Sequence, residues 1–172
     1  MNIQELKFIT ENLIETFNIA GQESIALYEK GLKIDIKEDG SPVSNGDLKA
    51  NELITDKIKK LTPNIPIISE ETVDLKIKNS AKIFWLIDPI DGTREYIAGK
   101  DEYTLNAALV INKIPTIGLV GAPKKKKLFY AFGSEESYLV ENGLTKKNNC
   151  EKKTKKNEIV ALCSSTNPSN II

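Results

Sequence analysis

The sequence predicts an α+β domain in which two long helices pack on a largely antiparallel sheet. Apolar side chains recur at three- and four-residue steps through most of the first sixty residues, which is the helical period. Residues 67–141 instead form short apolar runs that turns separate, which is typical of strands. Helices followed by consecutive strands favour an α+β layered domain, and 172 residues suffice for one domain or for one domain and part of a second.

Two helices are predicted before the first strand. The first thirty residues form an amphipathic helix, which Gly31 is placed to cap. Its apolar face consists of Ile3, Leu6, Ile9, Leu13, Phe17 and Ala20. A second helix is expected over 47–61, and the proline-containing stretch TPNIP at 62–66 ends it. The segment IKEDGSPVSNGD between the two helices has the composition of turns.

The strands are predicted as apolar runs of five to seven residues, preceded by one shorter run. The predicted strands are Ile67–Ile68, Ile83–Asp88, Leu105–Ile111, Ile117–Gly121, Leu128–Gly133 and Ser137–Glu141. The lysine-rich PKKKK at 123–127 is interpreted as a hairpin turn. Trp85 and the other large apolar residues of its run are expected in the core.

The chain is expected to divide into three parts. Residues 1–145 form an N-terminal domain, 146–157 a lysine-rich linker, and 158–172 the first strand of an incomplete C-terminal domain. The linker has no hydrophobic period, whereas IVALCSS at 159–165 has the composition of a strand.

The composition excludes several classes of function. Twenty-four basic and 24 acidic residues cancel, so no overall field favours nucleic acid or an anionic membrane. The absence of histidine removes Ser/His/Asp triads and histidine-ligated metal sites. The N-terminal helix carries charges throughout, so neither a signal peptide nor a transmembrane segment is expected there, and we expect a cytoplasmic protein.

Two carboxylates follow the apolar run of IFWLIDPIDGTREYI, at Asp88 and Asp91. Carboxylates at the end of a strand can converge on Mg²⁺, which prefers oxygen ligands. Gly92 lets the main chain approach a ligand closely, and Thr93 begins a helical turn whose free N–H groups favour phosphate. The alternative is an ordinary turn that ends a strand, since Asp, Pro and Gly are all common there.

A second acidic pair, Glu70 and Glu71, follows the short apolar run IPIIS. If the strands of Ile68 and Leu86 are neighbours, Glu70 and Asp88 reach a common point. Carboxylates buried together there would need cations. The alternative is an exposed loop.

A third acidic position, Asp47, lies in EDGSPVSNGD. Ser44 and Asp47 form the S-x-x-D pattern of a capping box ahead of a helix. An aspartate held rigidly in a first helical turn is also placed to accept a proton from a hydroxyl or a water.

The three motifs together resemble the inositol monophosphatase superfamily of lithium-sensitive, magnesium-dependent phosphatases. The motifs are WLIDPIDGTREYI, IISEE and DGSPVSNGD, and they occur in the family's order. Arg94, Glu95 and Tyr96 after DGT resemble the bacterial 3′(2′),5′-bisphosphate nucleotidases, as does YTLNAALVINKIPTIGLVGAP at 103–123. Inositol monophosphatases typically read Thr, Asn, Phe after DGT. The resemblance implies a layered sandwich of the sugar-phosphatase type, with a second α/β domain mostly missing from this chain.

The resemblance implies a metal centre in the N-terminal domain. Glu70, Asp88 and the Ile90 carbonyl would hold one Mg²⁺, and Asp88 and Asp91 would share a second, with two or three ions expected in the complete enzyme. In-line displacement at phosphorus would then be assisted by metal ions.

The resemblance also implies which residues meet the substrate. Gly92 and Thr93 would contact its phosphate, with Glu70 and Asp91 nearby, and Thr93 with Asp47 would activate the attacking water. The substrate would be a phosphate monoester, adenosine 3′,5′-bisphosphate, in sulfur assimilation. The complete enzyme is expected to be a monomer, in the cytoplasm or peripheral on the cytoplasmic face of the inner membrane.

Two departures from the family pattern lead to further expectations. VSNGD replaces V-T-x-A-D, so Asn45 and Gly46 are expected to loosen the helix start that positions Asp47. A later aspartate that completes the second metal site is absent, so weak or no activity is expected for this chain alone. The alternatives are inositol-1-monophosphatase activity, a non-catalytic metal-binding fragment, and nucleic-acid binding through the lysines of 124–127 and 146–156. The last lacks the interleaved aromatics of a stacking surface.

Overall fold

Helices lie on one face of a seven-stranded sheet in the computed structural model, which describes residues 1–72, 81–134 and 136–148. The predicted α+β class is confirmed. The expected strand at 158–172 and most of the expected linker lie outside the described residues. The division into domains therefore stays a prediction.

The described residues contain three α-helices, and the starts of the two long ones follow from capping. They are α1 (Ile3–Lys30), α2 (Asn45–Leu61) and α3 (Thr93–Ile97). Asn2 and Glu5 form a capping box at the start of α1, and Gly31, with φ of 94°, ends it. The two long helices pack against each other and against the sheet. Both were predicted, although α2 starts two residues earlier than expected.

The main sheet is a meander in which neighbours in sequence are neighbours in space. Its strands are β3 (Ile67–Ser69), β4 (Ile83–Asp91), β5 (Thr104–Ile111), β6 (Ile114–Ala122), β7 (Lys127–Phe132), β8 (Ser137–Glu141) and β9 (Leu144–Lys147), in that order. Only β3 and β4 pair in parallel, and every later pair is antiparallel. A separate two-stranded ribbon, β1 (Ile34–Ile36) and β2 (Pro42–Ser44), joins α1 to α2.

The core lies between the helices and one face of the sheet. It contains the predicted apolar residues of α1 from Leu6 to Ala20, with Ala50, Ile54 and Ile58 of α2 and alternate residues of the strands. Ile3, predicted on the same face of α1, is instead 55% exposed. Trp85 is fully buried in this core, and its Nε1 donates a hydrogen bond to Thr62 Oγ1 at 3.0 Å. The tryptophan therefore belongs to the core, as expected.

The opposite face of the sheet is left largely uncovered by the described residues. Leu86 is 50% exposed, Val120 42% and Phe129 40%. The strand register places Asp88 and Asn106 on this same face, because Asp88 lies two residues from Leu86 and Asn106 is paired with Val120. The apolar surface thus continues up to the first carboxylate of the DPID motif.

The structure differs from the sequence expectations in two elements and confirms a third. The ribbon β1–β2 occupies part of the segment expected to be only turns. Lys146 and Lys147, expected to open the linker, belong to β9, because this strand hydrogen-bonds along β8. The turn expected at PKKKK is confirmed as a short 3₁₀ turn between β6 and β7. No helix in the described ranges is both long and apolar enough to cross a membrane.

Candidate active site

The parallel pairing of β3 and β4 brings two of the acidic motifs together. Ile68 pairs with Leu86 and Ser69 with Ile87, so the next residues, Glu70 and Asp88, follow at the same level. The neighbouring strands that the sequence analysis required are therefore present. Ser69 is buried and donates a hydrogen bond from Oγ to Asn51 Oδ1 on α2 at 2.7 Å, which anchors the end of β3 to the helix layer.

A bulge in β4 places the two aspartates of DPID on one face. Residues three apart on a regular strand point to opposite faces. Here Asp88 pairs with Asn106 and Asp91 with Thr104, so three steps on β4 match two on β5. The extra residue puts Asp91 back on the face of Asp88. Asn106 Nδ2 donates to Asp91 Oδ2 at 3.3 Å, which links the bulged strand to its partner.

Two buried oxygens beside the bulge lack a hydrogen-bond partner among the described residues. They are Asp88 Oδ1 and Asn106 Oδ1. Burial, the negative charges of Glu70 and Asp91, and a hydrogen bond with Glu70 raise the pKa of Asp88 from 3.8 to about 7. Unpartnered acceptors in a field of negative charge are suited to a cation, since a cation supplies the missing charge and the missing partner together.

A lysine ammonium lies beside these carboxylates. Lys37, just after β1, contacts Glu70 Oε1 at 3.0 Å and Glu71 Oε1 at 2.9 Å. Burial lowers the pKa of Lys37, but its hydrogen bonds to Glu71 and Glu70 outweigh burial and raise it. Burial also raises the pKa of Glu71, and Lys37 offsets this only in part. The ammonium therefore stays charged and neutralises part of the cluster.

The start of α2 holds Asp47 in place through both of its carboxylate oxygens. Asp47 is fully buried, and its Oδ2 accepts hydrogen bonds from Ser44 N at 2.9 Å and Ser44 Oγ at 2.6 Å. Its Oδ1 lies 3.0 Å from Thr93 Oγ1, which donates to it. The capping box is complete, so the helix start is not loosened as Asn45 and Gly46 led us to expect.

The turn after DPID positions Thr93. Gly92 has φ of 90°, and a Cβ there would lie 3.0 Å from the Glu102 carbonyl oxygen, so both conformation and space require glycine. Thr93 then begins α3, as predicted. Its hydroxyl also lies 3.2 Å from the Ile90 carbonyl oxygen, so its single hydrogen is shared between that oxygen and Asp47.

Two tyrosines, Tyr96 and Tyr103, connect the region of the Asp47–Thr93 pair to α1. The Tyr96 hydroxyl donates to the Ser24 carbonyl oxygen at 2.6 Å, and Tyr103 Oη lies 2.9 Å from Ser24 Oγ. The rings of Tyr96 and Tyr103 are 4.9 Å apart between centroids. Burial, with smaller effects from Tyr103 and Asp47, raises the pKa of Tyr96, so its hydroxyl stays protonated as a donor.

The structure brings most of the predicted residues to one edge of the sheet. Glu70, Asp88 and Asp91 gather at the ends of β3 and β4, and Asp47 meets Thr93 beside them. The sequence analysis missed two residues of this group. Asn106 could have been noticed as a polar residue in the apolar run TLNAALV, whereas nothing local distinguishes Lys37 from its neighbouring lysines.

The donor set fits a divalent cation. Within residues 1–72, 81–134 and 136–148 no three acidic or cysteine side chains are already drawn into coordinating positions. We attribute this to Lys37, which binds Glu70 and Glu71 as they are placed here. Two observations directly favour a cation: Asp88 Oδ1 has no hydrogen-bond partner among the described residues, and the negative charges of Glu70 and Asp91 lie close to it.

One cavity in the described residues lies away from these carboxylates. It measures about 430 Å³ and lies between α1 and the turns after β6 and β8. Phe17, Leu128 and Val140 contribute apolar walls, and Lys126 and Asn142 are at its rim. It contains none of the acidic residues described above.

Comparison with known proteins gives consistent matches. A curated 3′(2′),5′-bisphosphate nucleotidase CysQ from Aggregatibacter actinomycetemcomitans is 31% identical over 78% of this chain and 51% of its own length. CysQ from Escherichia coli K12 is 35% identical over 65% of this chain and 47% of its own. The chain thus spans about half the length of the curated relatives it matches.

Solved structures match the fold in the same way. The crystal structure of CysQ from Bacteroides thetaiotaomicron superimposes with a TM-score of 0.64 at 32% identity, over 77% of this chain and 49% of that one. A structure described as an IMPase/NADP phosphatase gives a TM-score of 0.70 at 21% identity, which shows the fold alone. The family model described as "Inositol monophosphatase family" matches residues 5–171. With nearly its whole length matched, the chain belongs to the inositol monophosphatase family.

Proposed function

We propose that this chain carries the metal and phosphate site of a Mg²⁺-dependent phosphatase that converts adenosine 3′,5′-bisphosphate to AMP and phosphate. The single observation behind the proposal is the convergence of Glu70, Asp88 and Asp91 beside the hydrogen-bonded pair of Asp47 and Thr93. The substrate comes from the relatives, which are named 3′(2′),5′-bisphosphate nucleotidases. A place in sulfur assimilation and a cytoplasmic location are parts of the same proposal.

The residues that would hold Mg²⁺ are those at the bulge. Asp88, Asp91, Glu70 and the Ile90 carbonyl offer the oxygen ligands that this ion prefers. Bound there, the ion would neutralise charge on the phosphoryl group and the leaving oxygen. Asn106 Oδ1 lies beside Asp88 as a further oxygen without a partner among the described residues.

Asp47 and Thr93 would move the proton of the attacking water. Thr93 Oγ1 directs its hydrogen toward Asp47 Oδ1, which leaves its lone pairs open to accept a hydrogen from water. As the water attacks, its proton passes to Thr93 Oγ1 while the Thr93 proton passes to Asp47 Oδ1. Ser44 holds the other Asp47 oxygen, so the carboxylate is oriented before the reaction begins.

The test measures phosphate release by residues 1–172 from adenosine 3′,5′-bisphosphate and from inositol 1-phosphate. Release that requires Mg²⁺, is inhibited by lithium and is lost in Asp47→Asn and Asp88→Asn supports the proposal. The matched control is Asp56→Asn, an exposed aspartate on α2, which should retain activity. Preference for inositol 1-phosphate would instead favour inositol monophosphatase activity.

A specific observation favours a second candidate, a metal-binding part without turnover. The relatives are about twice as long as the span matched here, and a complete site could need residues beyond it. Titration calorimetry with Mg²⁺ separates the two candidates. Binding that Asp88→Asn abolishes, without phosphate release, supports the metal-binding part. If the protein neither binds Mg²⁺ nor releases phosphate, both candidate functions are contradicted.

A further inference from the structure

The ring of Tyr96 fills the space beside Gly46, in the first turn of α2. A Cβ on Gly46 would lie 2.6 Å from Tyr96 Cε1 and 2.7 Å from Cζ, and would also meet the hydroxyl oxygen. Gly46 does not have a positive φ, so its backbone conformation does not require glycine. The requirement for glycine is therefore the space that the tyrosine ring takes.

Tyr96 connects the three helices around the Asp47–Thr93 pair. It lies on α3, three residues after Thr93, and its hydroxyl is held by the Ser24 carbonyl oxygen on α1. The far side of its ring packs on Tyr103. Its contact on α2 is Gly46, the residue immediately before Asp47. The Tyr96 ring is thus held by α1 and by Tyr103, which directly precedes β5. It therefore limits how closely α2 approaches α3.

We propose that Tyr96 is a positioning residue for the phosphatase reaction, because its ring sets the place of the first turn of α2 and so the approach of Asp47 Oδ1 to Thr93 Oγ1. The inference rests on the proposed function for its catalytic consequence. Its structural part, the coupling between positions 46 and 96, can be tested without turnover.

Two physical effects predict opposite results for Gly46→Ala. Alanine favours a helix over glycine, so helix propensity alone predicts a more stable protein. Packing against the Tyr96 ring instead predicts a less stable protein, because the turn must shift although Asp47 and Tyr96 are both held by hydrogen bonds. The sign of the change in stability therefore distinguishes the two effects.

The experiment combines Gly46→Ala and Tyr96→Leu in a double-mutant cycle. We expect Gly46→Ala to lower kcat on the order of tenfold or more while KM changes less than about threefold, since misplaced catalytic groups cost rate rather than binding. In the Tyr96→Leu background, Gly46→Ala should lower kcat less than about threefold, because leucine leaves room for the alanine side chain. Gly118→Ala, with open space around its Cβ, is the matched control.

Two further measurements keep the test decisive. The amide NMR signals of Asp47 and Thr93 should shift in Gly46→Ala and return toward their original positions in the double variant, even if the chain releases no phosphate. Tyr96→Phe, which keeps the ring but loses the hydrogen bond to Ser24, should lower kcat less than Tyr96→Leu, which should lose on the order of tenfold. Unchanged signals in Gly46→Ala, or equal effects of it in both backgrounds, would overturn the inference. Absence of turnover in every variant, with the NMR coupling present, would count against the proposed function only.

Discussion

At the scale of single residues, the most informative side chain is Lys37. Its ammonium contacts both acidic residues that follow β3, so it supplies positive charge where the carboxylates of β3 and β4 meet. A divalent cation at Asp88 would compete with Lys37 for Glu70. Lysine and a bound metal would therefore stabilise the same cluster by alternative means.

Lys37→Gln should lower the metal-free stability by about 1–2 kcal/mol, between the values for exposed and buried ion pairs, because Glu71 is buried while Glu70 is half exposed. Added Mg²⁺ should then stabilise the variant more than the original protein. Urea unfolding with chelator and with Mg²⁺ measures both effects. The control is Lys49→Gln, which removes an exposed pair with Glu52 and should change stability by less than about 0.5 kcal/mol. Equal losses for the two variants would contradict a special role of Lys37.

Asp88 predicts how metal-free stability depends on pH. Its folded pKa of about 7 lies above the ordinary 3.8, so between these values the folded state binds more protons than the unfolded state. Stability from this group is complete below 3.8 and is lost as the pH rises through about 7. Urea unfolding in chelator across this window should show the decline, and Asp88→Asn should remove it. If stability instead increased with pH across this window, the pKa of Asp88 would not be raised in the folded state.

At the scale of elements, the two long helices start with capping boxes that differ in burial. The box at Asn2 is exposed, whereas Ser44 and Asp47 are buried and connect to Thr93. Ser44→Ala should therefore lower the free energy of unfolding by about 1–2 kcal/mol, and Asn2→Ala by about 0.5–1 kcal/mol. Denaturant titration of both variants measures the difference. A larger loss for Asn2→Ala would mean that the buried cap contributes little.

The elements that the sequence predicts well have strong periodicity. α1 buries apolar residues at helical spacing from Leu6 to Ala20, and the apolar run before Asp88 leaves little alternative to a buried strand. The ribbon β1–β2 was missed because its strands have three residues each and β1 is exposed throughout, so no alternation marks it. Lys146 and Lys147 in β9 were missed for the same reason, since all four residues of that strand are exposed.

The site was predictable where its residues are close in sequence or where strand adjacency could be assumed. Asp88, Asp91 and Thr93 belong to one motif, and Glu70 followed from pairing β3 with β4. The bulge that aligns the two aspartates is not evident from DPID alone, because it depends on the register with β5. The contact of Tyr96 with Gly46 joins positions fifty residues apart, so only the tertiary structure shows why glycine occupies this turn.

At the scale of the whole molecule, the sheet face that the described residues leave largely uncovered adjoins the site. Leu86, Val120 and Phe129 expose apolar surface on the face that also carries Asp88. Whatever covers this surface therefore also lies next to the carboxylates. Exposed apolar patches of this kind mark association surfaces.

We expect residues 1–172 to self-associate through this face, and Phe129→Lys should weaken that association because it places a charge in the middle of the face. Sedimentation velocity over a range of protein concentrations measures the effect. The matched control is Phe8→Lys, which changes an exposed phenylalanine on α1, on the other side of the molecule. Association that persists in Phe129→Lys and is lost in Phe8→Lys would assign the association surface to α1 instead.

The meander from β4 to β9 also determines how the chain reaches its folded state. Each of these strands pairs with the next one along the chain, through segment 92–103 with α3 between β4 and β5 and through short turns after that, so no long loop must close before the pairing is formed. Docking of α1, by contrast, joins the N-terminus to strands about a hundred residues later. Contacts local in sequence form faster than distant ones. β4 would thus be paired with β5 before α1 is packed against the sheet, and the hydrogen bonds of Ser24 on α1 with Tyr96 and Tyr103 would be among the last features to form.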